Sequence, residues 1–229
     1  GNGCGRVRLV EHVAGERGEF EHRRVRVQEQ RKPLAREQLT ALRKARARFR
    51  RGVARAHGAE VPFLRPAVLA TDTAQIADSL VHLLARLEES EKYRPDYVMV
   101  LQTTSPLREM RDIDQVCDLM DRTKATTVLT ICSTHPRLYH LDESARIHLM
   151  NPHPTGSTNI QAWKDAYILN GCFVYLVQAK ALIAEKSVVT KDTRAVVCDK
   201  WRSIDIDTSE DWVIAEFLYT HKDEIVAQM

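Results

Sequence analysis

From about residue 59 onward, apolar positions fall into runs of two kinds. "TAQIADSLVHLLARLEESEKY" spaces Ile76, Leu80, Leu83, Leu84 and Leu87 along one helical face. "DYVMVLQ" is a continuous apolar run of strand length between Pro95 and Pro106, and it suits a strand buried on both faces. "RDIDQVCDLMDR" places Ile113, Val116, Leu119 and Met120 on one face behind Asp112, the predicted helix cap. "TTVLTICS" and "YILNGCFVYLV" read as strands, "QAKALIAE" as a helix, and "AVVC" and "RSIDIDT" as short strands. "SEDWVIAEFLYTHKDEIVAQ" reads as an amphipathic helix opened by a Thr208–Asp211 capping box. Residues 135–165 are polar and hold three prolines, so they predict a long excursion from the core.

Strands alternating with helices predict an α/β domain, a mainly parallel sheet with helices on both faces. Ligands of such sheets gather at the carboxyl ends of the strands. That rule singles out "LQTTSPLR" (101–108), where a buried strand ends in a glutamine, hydroxyls, a proline and an arginine. In "SIDIDT" (203–208), Asp205 and Asp207 are two apart on the expected strand and leave the same face, with Ile204 and Ile206 on the other. Two such carboxylates either face water on an edge strand or share a cation, and oxygen ligands of this kind suit Mg²⁺. Asn170-Gly171 interrupts an apolar strand, which marks a bulge, a close backbone approach or an amide aimed at a ligand. His135, His140, His148 and His153 match no metal spacing and read as solvated loop.

Charge divides the chain. Residues 1–57 carry 16 Lys and Arg against six Glu and no Asp, whereas the remainder carries 18 basic against 25 acidic side chains. Residues 1–57 also lack Ile, Ser, Tyr, Trp and Met. This segment reads as an atypical basic arm, out-of-frame or disordered, preceding an α/β domain at 58–229. A basic arm can bind nucleic acid, but its thin apolar face argues against that partner here. Five scattered cysteines without a CxxC pair, and the lack of an apolar leader or membrane-length run, favour a cytoplasmic protein with reduced thiols and no membrane partner.

Taken in order, "EVPFLRPAVLATDTA", "VLQTTSPLR", "YILNG" and "SIDIDTSED" resemble the acylneuraminate cytidylyltransferase family across about residues 53–220. The resemblance implies a three-layer Rossmann-like nucleotidyltransferase fold with a mainly parallel sheet, and a homodimer with 135–165 as its protruding dimerisation segment. It implies transfer of CMP from CTP to the anomeric hydroxyl of a sialic-acid-like nonulosonic acid, releasing pyrophosphate. Position by position, it makes Arg65 a nucleotide-side arginine, Gln102, Thr104, Ser105, Arg108 and Asn170 substrate contacts, and Asp205 and Asp207 the catalytic Mg²⁺ ligands. Two departures bear on the sugar: Ile168 stands where many relatives place an arginine, and Thr103 replaces the usual proline. A third is larger. The family's phosphate-binding Gly-Ser-Lys string is missing from residues 1–57, although their number is about what that first unit needs. The chain as written is therefore expected to turn over weakly or not at all. Two other readings stand beside this one: a non-catalytic sugar-binding or interaction protein retaining the fold, and a nucleotidyltransferase for a different sugar acid.

Overall fold

The structure is a computed structural model and describes residues 7–12, 51–71, 73–150 and 159–229. Most of the atypical segment 1–57, and His153 with it, lies outside the described residues. Two pieces of it do not: residues 51–57, and β1 (Val7–His12), which pairs in parallel with β2 (Tyr97–Gln102), from Val7 opposite Tyr97 to His12 opposite Gln102.

The connection to β2 runs through helix 51–56, a loop with a 3₁₀ turn at Ala67–Leu69, and α1 (Ile76–Glu91). From β2 the chain passes through α2 (Met110–Thr123) to β3 (Thr127–Thr134). The excursion follows and contains an antiparallel hairpin, β4 (Tyr139–Leu141) and β5 (Ile147–Leu149). The chain re-enters the sheet as β6 (Ala166–Leu169) and β7 (Tyr175–Gln178), continues into α3 (Ala179–Glu185), and returns as β8 (Thr193–Cys198). Two helices, α4 (Ser209–Thr220) and α5 (Lys222–Ala227), end it.

The sheet corrects one expectation. It is mainly antiparallel in its pairings: β7 runs antiparallel to β2 on one side and to β3 on the other, and β6 is antiparallel to β3. Only β1–β2 and β3–β8 are parallel. The cause is local. "YILNGCFVYLV" is two strand segments laid along β3, with Leu169 opposite Ile131 and Tyr175 opposite Leu129. Asn170–Val174 therefore stand opposite Thr130 alone, as a bulge of unusual length. Because this interrupted strand inserts between β2 and β3, those two keep the same direction without touching. The carboxyl ends of β1, β2, β3 and β8 still share one edge of the sheet.

Packing follows the apolar faces. Ala77, Leu80 and Leu84 of α1 and Leu182 of α3 cover Val98, Val100, Leu129, Tyr175 and Val177. Val116 and Met120 of α2 cover Met99, Leu101, Val128, Phe173 and Leu176 on the opposite face. The predicted cap of α2 shifts by a turn: Glu109 is the N-cap, and Asp112, at the third helical position, accepts a hydrogen bond from the Glu109 backbone N–H at 2.8 Å. The Thr208–Asp211 box opens α4 as expected, with Asp211 N–H donating to Thr208 Oγ1 at 3.2 Å. The amphipathic helix expected there is less buried than its sequence suggests, with Ala215 buried and Trp212, Val213, Ile214 and Phe217 exposed. "RSIDIDT" forms no strand; a 3₁₀ turn at Lys200–Arg202 leads into an irregular segment. Among the described residues, no helix is long and apolar enough to cross a membrane.

Phe173 is the largest fully buried side chain and sits inside the bulge. Phe173→Ala is expected to cost about 3–5 kcal/mol, read from the urea midpoint of equilibrium unfolding. A loss well under 1 kcal/mol would mean that the bulge packs loosely.

Candidate active site

The site grows from three segments that meet at the carboxyl edge: the end of β2 (102–108), the bulge (170–173) and the segment after β8 (199–207). Backbone bonds join the first two, since Gln102 N–H donates to Cys172 O at 3.0 Å. They also join the first and third, since Ile206 N–H donates to Thr104 O at 2.9 Å.

Gly171 explains why the bulge carries a glycine. Its φ is +66°, a conformation that costs an L-residue roughly 1–2 kcal/mol. A Cβ there would lie 2.5 Å from Asp205 Oδ2 and 2.7 Å from its Cγ. The Asp205 carboxylate thus rests against bare backbone. Its Oδ1 is buried and has no hydrogen-bond partner. A buried, unsatisfied carboxylate oxygen is costly to leave unpaired, and a bound cation would satisfy it. Asp207 is exposed two residues on, its N–H donating to Asp211 Oδ2 at 3.1 Å. Of the two residues expected to hold Mg²⁺, Asp205 is thus presented to the edge by its packing and Asp207 lies near it in sequence. Among the described residues, no group of three or more His, Cys, Asp or Glu side chains is gathered as a metal cluster.

The other expected residues divide. Ser105 is only 2% exposed and its Oγ, like Asp205 Oδ1, lacks a partner. Gln102, Thr103, Ser105 and Arg108 line an open cavity of about 400 Å³ together with Glu109, Met110 and Ile113. Gln102 Oε1 lies 3.5 Å from Cys172 N, a long contact. Thr104 meets the third segment through its carbonyl. Arg108 turns its guanidinium inward: Nε donates to Phe173 O and Nη2 to Gln102 O. Its charge also lies over the Phe173 ring, 5.7 Å from the centroid. Asn170 is 2% exposed, and its amide is committed to protein: Oδ1 accepts from Thr130 Oγ1 at 3.0 Å, and Nδ2 donates to Ser203 Oγ at 3.0 Å. Arg65 is exposed in the loop before the 67–69 turn, and no hydrogen bond or ion pair among the described residues joins it to this cluster.

Sequence reasoning missed the group that holds these segments together. Arg202 and Asp112, 3% and 1% exposed, form a bidentate pair with N···O distances of 2.7 and 2.9 Å. Arg202 Nε also donates to Asp199 Oδ2 at 3.0 Å, and its guanidinium lies 6.0 Å from the Phe173 centroid. Burial alone raises the Asp112 pKa; the Arg202 hydrogen bonds, the Glu109 N–H and the charges of Arg202 and Arg111 outweigh it and hold the carboxyl below its ordinary value. For Arg202, burial opposes the charge, and its bonds to Asp112 and Asp199 raise the pKa further above the ordinary arginine value. Burial, together with the Asp205 charge, pushes the Cys172 thiol up to about 11 against the opposing pull of Arg108. Burial likewise pushes the Cys198 thiol up to about 12, aided by the Asp112 charge. Neither thiol is a thiolate at neutral pH. The one sequence signal for Arg202 was an arginine directly before the acidic string, and nothing there named Asp112 as its partner.

Fold and site together define a class: an open α/β sheet whose polar site lies at the shared carboxyl edge of its strands, as in ligand-binding sheets of this kind. No protein-family model matches the chain. It is 31% identical over 169 residues to the CMP-N,N′-diacetyllegionaminic acid synthase of Legionella pneumophila, covering 72% of each chain. It is 28% identical over 171 residues to the post-translational flagellin modification protein B of Campylobacter coli, covering 74% of this chain and 72% of that one. A third relative is the N-acylneuraminate cytidylyltransferase of Streptococcus agalactiae, 26% identical over 66% of this chain and 35% of the longer relative. This chain belongs to the acylneuraminate cytidylyltransferase family. Solved structures are similar only loosely. A 4-diphosphocytidyl-2C-methyl-D-erythritol synthase has a TM-score of 0.45 at 13% identity, over 62% of this chain and 66% of that one. A CMP:2-keto-3-deoxy-manno-octonic acid synthetase complexed with CTP has 0.42 at 12%, over 66% and 70%.

Two predictions follow from the geometry. Gly171→Ala is expected to destabilise the fold by roughly 1–3 kcal/mol, through left-handed strain and displacement of Asp205; an unchanged urea midpoint would contradict the close approach. The second concerns acid. Because the folded-state pKa of Asp112 is lowered, its stabilisation is complete above the unfolded carboxylate range and is lost as pH falls through the folded value. Asp112→Asn should lower stability at pH 7 and flatten the loss of stability between pH 5 and pH 2. Parallel pH–stability curves for the two proteins would contradict that assignment.

Proposed function

We propose that this protein transfers CMP from CTP to the anomeric hydroxyl of a sialic-acid-like nonulosonic acid. The bond between the sugar oxygen and the α-phosphorus forms as the bond from that phosphorus to the pyrophosphate breaks. The observation that carries the reading is the Asp205 carboxylate, seated on Gly171 with a buried oxygen that nothing in the protein satisfies. Family membership and the named activities of the relatives from Legionella and Streptococcus point the same way.

Asp205 and Asp207 would hold Mg²⁺, whose chemistry there is to offset charge on the phosphate oxygens and the leaving pyrophosphate. Ser105 offers a buried hydroxyl lacking a protein partner, Gln102 lines the same cavity, and Thr104, next to Ser105 in the chain, is assigned to the sugar with them. Arg108 and Asn170 act by position: the first braces the backbone of Gln102 and Phe173, the second ties Thr130 to Ser203. Arg65 is assigned to the nucleotide. The protein works in the cytoplasm as a homodimer. The hairpin presents Tyr139, Leu141 and Ile147 exposed, and β6 presents Tyr167, Ile168 and Leu169, apolar side chains that a second copy would cover. The phosphate cradle falls in residues 1–57, mostly outside the described residues, and their sequence supplies no Gly-Ser-Lys string. Turnover is accordingly expected to be weak.

Pyrophosphate release tests the reading, with CTP, Mg²⁺ and a panel of nonulosonic acids. Release should require all three components and fall by about 100-fold or more in Asp205→Asn. Release that is independent of the sugar acid, or unchanged in Asp205→Asn, would overturn it.

A further inference from the structure

The buried polar chain behind the site leads, among the described residues, to a carboxylate with a buried oxygen that no protein group satisfies. Asp112 accepts both ends of the Arg202 guanidinium, and Arg202 Nε holds Asp199. The Asp199 carbonyl accepts from Ser203 Oγ at 2.9 Å. Ser203 Oγ accepts from Asn170, and Asn170 accepts from Thr130 in the central strand. Asp205 follows Ser203 by two residues, and one residue further on Ile206 N–H is bonded to Thr104 O. Asp205 is therefore bracketed between the buried chain and the end of β2.

We infer that Arg202 and Asp112 are positioning residues for the metal-binding carboxylate: the charged pair fixes the 199–203 turn so that Asp205 stays over Gly171 with Oδ1 presented. The inference rests on the Mg²⁺ role proposed for Asp205. Three facts argue that the pair does more than hold the fold. Replacing a buried ion pair by apolar side chains is often neutral or stabilising, so beyond the cap that Asp112 gives the Glu109 N–H the fold has little need of the charges themselves. Arg202 reaches three separate elements at once: the start of α2 through Asp112, the turn after β8 through Asp199, and the bulge through the Phe173 ring. An apolar side chain could fill the space beside Asp112 and Phe173, but it has no donor for Asp199, which would keep only its bond to the exposed Arg111 at 3.0 Å.

The test separates the two roles. In the full chain, the pair is replaced together as Arg202→Met with Asp112→Leu, and singly as Arg202→Lys. The thermal midpoint reports the fold, and Mn²⁺ binding without added nucleotide, followed by the loss of the free-ion electron paramagnetic signal, reports the site. The account expects the apolar pair to unfold within a few degrees of the parent and to bind Mn²⁺ at least tenfold more weakly. Arg202→Lys keeps the charge but not the fork, so it should fall between the two in Mn²⁺ affinity. Parent-like Mn²⁺ affinity in the apolar pair would overturn the inference and leave the ion pair a structural one. If the apolar pair fails to fold, Arg202→Lys decides: unchanged Mn²⁺ affinity in a folded Arg202→Lys protein also overturns it. A failure of the underlying reading looks different, because the parent itself would then show no Mn²⁺ binding that Asp205→Asn removes.

Discussion

The whole arrangement depends on a length mismatch. Five residues, Asn170–Val174, must be accommodated opposite the single residue Thr130, because the strand segments on either side are both in register with β3. The surplus cannot remain in the ladder, so it folds out at the carboxyl edge. Each residue of the surplus takes a task. Asn170 turns inward to Thr130 and Ser203, Gly171 accepts the Asp205 carboxylate, Cys172 O accepts from Gln102 N–H, Phe173 fills the core beneath, and Val174 bonds Thr130 through its N–H and its carbonyl. Without the bulge, the end of β2 and the segment after β8 would have no common support.

Electrostatics then decides what remains available to a ligand. Arg108 and Arg202 both lie within 6.0 Å of the Phe173 centroid, yet each guanidinium is engaged by protein oxygens. The cations thus stabilise the scaffold, and at this edge the buried side-chain atoms left without partners among the described residues are Ser105 Oγ and Asp205 Oδ1. Buried polar atoms normally find partners, so two at one edge mark where an external ligand completes the network. Burial, with the Asp205 charge at Cys172 and the Asp112 charge at Cys198, holds those thiols up at about 11 and about 12, so neither sulfur competes as a nucleophile at neutral pH.

Much of this was legible in the sequence, and the exceptions have physical causes. Helical periodicity located α1 and α2, because Leu80, Leu84, Val116 and Met120 face a core and their spacing records it. The polar ending of "VLQTTSPLR" correctly marked a strand's carboxyl end, since an apolar run has no local need of such residues. Sheet direction was not legible. The rule that alternating strands and helices make parallel sheets assumes one strand per apolar run, and "YILNGCFVYLV" contains two segments split by a bulge. Asn170 was singled out by its oddity in an apolar run, but an amide inside a strand looks the same whether it faces a ligand or a buried threonine. Asp112 and Arg202 are 90 residues apart, and pairing at that range leaves no periodic trace.

The central claim is that the Asp205 carboxylate, presented by the bulge, is where this protein meets its metal-bound nucleotide. The most direct measurement is an anomalous-difference map from crystals of the full chain grown with CTP and Mn²⁺. The account predicts a peak within about 2.0–2.3 Å of Asp205 Oδ1, a coordination distance for a small divalent ion, with Gly171 still at positive φ beneath the carboxylate. A nucleotide bound elsewhere, with Asp205 Oδ1 taken up by a protein donor, would contradict it.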